Sequence, residues 1–304
     1  MGAGWVAGSV RARLLARHRV GVNGAREIAE TASADAARAQ LAATPYARAL
    51  AGTTSVRDAQ RAIWSTVLWD TRVLAGWLPA PGVEVARTLA AFFEIENFED
   101  LLASPDTDRE PPFDLGALGT AATRAHRATS ASELREELRH SAWRDPGTSD
   151  PAGILFKVRV EWARRLSDIE PVAEWGLGLA ALIAARVVAE REQPVDPDLV
   201  RRIPRLGRRV LDAETLAAVV AALPVSARWA VEGIERADEL WRAEASWWRR
   251  VDHDGERLLH STRPGLGVAA GAIALRMSDA WRTCAALDIA SRGGAGREVL
   301  DAAA

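Results

Sequence analysis

Four carboxylates crowd one stretch of this sequence: Glu94, Glu96, Glu99 and Asp100. Glu96 and Asp100 stand one helical turn apart, a spacing at which two side chains can share a divalent cation. That pair would suit an all-α metal-dependent enzyme. No second acidic cluster answers it elsewhere, so a solvated or partner-binding face is the better expectation. A second candidate is Gly265-Leu266-Gly267-Val268-Ala269-Ala270-Gly271, which imitates a dinucleotide loop. Such a loop needs a buried strand before it. His260-Ser261-Thr262-Arg263-Pro264 supplies none, and the segment predicts a helix start where small residues permit close packing. His253-Asp254 and His260 have neither metal-ligand spacing nor a nucleophile beside them. Cys284 is the single cysteine, so neither a disulfide framework nor a thiolate cluster can form. No catalytic residue, cofactor site or metal site is expected.

The elements around these residues predict helices throughout. Alanine, leucine, arginine and glutamate fill the long segments, with apolar residues recurring at three and four. Helices are expected from Trp5 to His18, from Ser33 to Pro45, from Ser55 to the break at Pro79-Ala80-Pro81-Gly82, and from Val83 to Ala103. A short cassette is written three times. It runs from Ser33 through Leu41 to Thr44-Pro45-Tyr46, from Ser130 through Leu138 to Ser141-Ala142-Trp143, and from Asp212 through Val220 to Leu223-Pro224-Val225. In each, a capping residue precedes an aliphatic by eight positions and a turn follows. Tyr46, Trp143 and Val225 are therefore expected at equivalent positions. Repeats of this period predict duplicated helical modules, here residues 1–103, 118–192 and 199–304, with linkers at about 104–117 and 193–198. The twelve tryptophans sit in amphipathic periods without a basic stripe, as helix-packing bulk does.

Composition narrows the function classes. Hydrophobic residues make up 48% and charged residues 26% of the 304, the profile of a globular chain. A net charge of -2 provides no field for nucleic acid. The start lacks the pattern of a signal peptide. The apolar runs Leu177 to Ala189 and Leu266 to Leu275 fall short of the roughly 20 residues a crossing needs, so a cytoplasmic location is expected.

An ordered series of motifs resembles the C-type subunit of bacterial and archaeal V/A-type rotary ATPases, known as the d-type subunit in the eukaryotic V-ATPase. Trp5, Val10-Arg11 and Leu14-Leu15 are similar to the family's opening. Leu41, Thr44-Pro45-Tyr46 and Leu50 match its next element, and Glu94-Ile95-Glu96-Asn97-Phe98 with Leu101-Leu102 the third. Pro264-Gly265-Leu266-Gly267 and the helix from Ala274 to Ile289 are similar to its end. Around Trp281 the chain has Ser278, Asp279, Thr283, Cys284 and Ala285, and the Glu–Arg pairing of relatives is diminished. The resemblance implies an all-α funnel of three pseudo-symmetric modules. It implies a non-catalytic central-stalk adapter, which caps the proteolipid ring, holds the D and F shaft subunits and transmits torque for ion transport. It would be peripheral on the cytoplasmic face, meeting the membrane only through the ring. The rival reading is an unrelated helical-repeat scaffold for another protein. Loops at Pro105 to Pro112 and Arg201 to Arg209 are candidates for the contacts.

Overall fold

In the computed structural model, which describes residues 2–103, 111–121, 125–191 and 193–303, the chain is all-α and no strand occurs among those residues. Its α-helices are α1 (Ala3–Leu15), α2 (Gly21–Ala29), α3 (Ala34–Leu41), α4 (Ala47–Leu50), α5 (Val56–Ala75), α6 (Ala80–Ala103), α7 (Ala131–Arg139) and α8 (Pro151–Ser167). There follow α9 (Ala173–Arg191), α10 (Pro197–Arg202), α11 (Leu216–Ala222), α12 (Val225–Arg228), α13 (Leu240–Leu259), α14 (Leu266–Ser291) and α15 (Glu298–Ala302). They form two compact units, one of residues 1–86 and 241–304, the other of residues 87–240.

Local chemistry sets the boundaries. Ser33, Ser130 and Thr215 each accept a hydrogen bond from the backbone N–H three residues on, which caps α3, α7 and α11. Ser55 and Asp58 close a reciprocal capping box at the start of α5. Asp150 caps α8, with Pro151 in its first turn. The break at Pro79-Ala80-Pro81 is narrower than its prolines suggest. α6 already begins at Ala80, because proline fits the first turn of a helix.

In the first unit α14 is the axis. It packs against α1, α2, α3 and α5, and nearly every residue from Val268 to Ala290 is buried. Gly271 lets α14 approach α13 closely as well, since a Cβ there would lie 2.6 Å from Gly255 O on α13. Trp248 is the aromatic hub, at 4.9 Å from Trp247 and stacked on Trp281 at 6.0 Å between ring centroids.

In the second unit α8 and α9 pair closely. A Cβ at Gly176 would overlap the backbone of Ala163 and Ser167. Phe93, Phe98, Leu134, Leu138, Ile154 and Trp175 are fully buried around them. The stretch Glu170–Glu190 is, contrary to expectation, long and apolar enough to cross a membrane by length and composition. Its apolar residues are consumed by packing, for 72% of its 18-residue apolar window is buried inside the protein. Trp69 and Trp77 depart from the packing role and are 60% and 54% exposed.

Candidate functional site

Each unit holds a fully buried carboxylate gripped by the same set of partners. In the first unit it is Asp279 of α14. Its oxygens accept from the backbone N–H groups of Val20 at 3.1 Å and Gly21 at 2.7 Å, and from the Tyr46 hydroxyl at 2.9 Å. The Arg276 guanidinium lies over the Tyr46 ring at 5.0 Å and pairs with Asp70 of α5 at 2.9 Å. It also donates to His18 O. In the second unit the carboxylate is Glu94 of α6. It accepts from the backbone N–H groups of Thr120 and Ala121 at 2.5 and 2.8 Å, and from Trp143 Nε1 at 2.6 Å. The Arg165 guanidinium covers the Trp143 ring at 4.3 Å and donates to Ala142 O.

The two clamps share a plan: a helix-borne acid, two successive backbone donors, an aromatic on a turn, and an arginine on the ring. The turns agree atom by atom. Thr44 Oγ1 donates to Leu41 O at 2.6 Å and accepts from Tyr46 N at 3.3 Å. Ser141 Oγ donates to Leu138 O at 2.8 Å and accepts from Trp143 N at 3.0 Å. The arginines come from different places in the two clamps. Arg276 stands three residues before its acid on the same helix, whereas Arg165 comes from α8, the helix that follows its turn.

Electrostatics explain why these groups tolerate burial. Burial, then the Asp279 carboxylate, raises the Tyr46 hydroxyl well above its ordinary value of 10.0, so it remains a donor. Next to the second clamp, Glu161 is buried with Arg164 at 2.7 Å and Arg202 at 2.9 Å. Burial works to raise its pKa, but bonding to Arg164 and the charges of Arg164, Arg165 and Arg202 overcome that and hold it below 4.5.

The residues expected from sequence fall in different places. Leu15, Leu41 and Tyr46 are buried, and Leu14, Arg11 and Pro45 are exposed. Glu94 does not belong to a solvated face. With Asn97, Phe98 and Leu101 it lines the inward side of α6, at the three- and four-residue spacing that makes one helical face. Asn97 accepts from Phe113 N at 2.7 Å and donates to Phe113 O at 3.0 Å, filling both backbone valences of a loop residue. Glu96, Glu99 and Asp100 are half-buried, and Arg159 pairs with Glu99 at 2.6 Å. Among the described residues no group of three or more His, Cys, Asp or Glu side chains could hold a metal. Pro264 and Gly267 flank the start of α14, with Gly265 at its cap. Of the loops read as contact candidates, residues 105–110 lie outside the described residues, and Arg205, Arg208 and Arg209 are exposed.

The third cassette needs a new register. Its cap is Thr215, three residues beyond Asp212, which sits in a 3-10 turn. Counted from Thr215, the buried residues are Val219 and Leu223, matching Ala37 and Leu41 after Ser33, and Leu134 and Leu138 after Ser130. Ser226 then falls where Thr44 and Ser141 stand. Val225 is 82% exposed and has no part in a clamp. The aromatic near this turn is Trp229, whose ring fills the space beside Gly178.

Sequence reading missed Arg276 and Arg165, and treated Asp279 only as a mark of diminished pairing. Its partner was there, three residues earlier inside an apolar run, where an isolated opposite pair signals burial. No protein-family model matches the chain, and no curated protein matches it either.

Proposed function

We propose that this chain is a non-catalytic adapter in the central stalk of a V/A-type rotary ATPase, joining the D and F shaft subunits to the proteolipid ring. The paired clamps are the observation that supports this most. Two copies of one buried arrangement, with donors, aromatic and arginine in the same order along the chain and the acid last in one and first in the other, are what an internally duplicated helical protein carries. The order short capped helix, turn, long helix, long helix occurs three times, as α3–α5–α6, α7–α8–α9 and α11–α13–α14. The three modules and their funnel-like array belong to the same proposal.

An adapter that passes torque needs stiffness rather than a reactive group. Dense packing at Gly176 and Gly271 and polar clamps with few rotamers provide it. In this reading the protein sits on the cytoplasmic face and meets the membrane through the ring. Its removal uncouples the motor. Membranes stripped of this chain should retain ATP hydrolysis and lose ATP-driven ion uptake, and adding the chain back should restore uptake. Uptake that continues unchanged without it contradicts the proposal.

A further inference from the structure

Helix α1 is apolar on both sides. Its inner side, with Ala12, Leu15 and Ala16, is buried. Gly8 brings it close to the backbone of Trp77, and Arg13 anchors it by donating to Ser261 O at 2.7 Å. Its outer side is Val6, Val10 and Leu14, one turn apart and 50%, 54% and 47% exposed. A helix with apolar residues on two opposite sides is normally covered on both.

Charge decides what covers it. Arg11 and Arg17 are exposed at the margin of the stripe, and the chain has no acidic residue before Glu27. Exposed aliphatics flanked by arginine form the pattern by which a helix lies in a lipid interface. We infer that the outer face of α1 docks on an anionic phospholipid surface, with Val6, Val10 and Leu14 among the acyl chains and Arg11 and Arg17 against headgroup phosphates. This stands on α1 alone and goes beyond contact through a protein ring.

Co-sedimentation of the full chain with phosphatidylcholine vesicles, with and without phosphatidylserine, tests it. The chain should sediment with the phosphatidylserine vesicles, and high salt should release it. Val6→Ser/Val10→Ser/Leu14→Ser should abolish this binding with helicity unchanged. Arg11→Gln/Arg17→Gln should weaken it roughly thirtyfold, the effect of two basic residues near a charged surface. If the serine variant fails to fold, the arginine variant decides alone. No binding to either vesicle, or variants that bind like the parent, would overturn the inference. So would a dimer in sedimentation equilibrium that the serine variant dissociates, since the face would then belong to a second copy.

Discussion

The Tyr46 hydroxyl donates to Asp279 Oδ2 at 2.9 Å across 233 residues of chain. Val20 and Gly21 donate to the same carboxylate, so one acid fastens the start of α2, the turn after α3 and the long helix α14. The Trp143 indole does the same for Glu94, α6 and the segment at Thr120. Both aromatics carry an arginine on the ring, which leaves little freedom in either turn.

Tyr46 is the only tyrosine, so its ionisation can be followed alone by absorbance. Its folded pKa is raised above 10.0 by burial and by Asp279. The stability from keeping it protonated is fully present below 10.0 and is lost as pH rises through the folded value. The tyrosinate signal should therefore appear together with alkaline unfolding. A reversible titration at the ordinary value, without loss of helicity, would contradict a buried Tyr46.

Glu94→Ala and Asp279→Ala should each cost about 3–5 kcal/mol in denaturant unfolding, because each strands three or more buried donors at once. Hydrogen exchange should separate them. Glu94→Ala should loosen amides of residues 87–240 and Asp279→Ala those of residues 1–86 and 241–304, following the two units. Identical exchange patterns would show that the clamps do not act locally.

These clamps mark the limit of what sequence displayed. Ser33, Ser55 and Ser130 announced their helices because capping is local chemistry. Thr44-Pro45-Tyr46 was legible as a turn and Asn97 as a motif. That Tyr46 meets Asp279, or Trp143 meets Glu94, depends on packing between distant helices, which no local period encodes. Glu94 is hard to place from sequence because the acidic cluster reads as one face, although its members point to different sides of one helix. The third cassette was misread because Asp212 and Thr215 are both good caps, and burial of Val219 and Leu223 decides between them.

Acid sensitivity should centre on Glu161. Its folded pKa is depressed below 4.5 by Arg164, Arg165 and Arg202, against the opposing effect of burial. Its contribution is present above the unfolded value and disappears as pH falls through the folded one. Glu161→Gln should therefore be less stable than the parent at neutral pH, and the gap should close as pH drops below the ordinary value. Thermal unfolding across this range checks it, and a constant gap would contradict the ion cluster.

Gly176→Ala and Gly271→Ala should each destabilise by roughly 1–3 kcal/mol or more, since a new methyl meets backbone rather than a movable side chain. Gly2→Ala, in open space, serves as the control. Melting temperatures that leave all three alike would argue against close helix contact at these glycines.

The adapter role is tested most directly by affinity purification of the tagged chain from native membranes, with the co-purifying proteins identified by mass spectrometry. Shaft and proteolipid ring subunits should be recovered together with this chain. Recovery of neither, from membranes in which the rotary ATPase is intact, would contradict it.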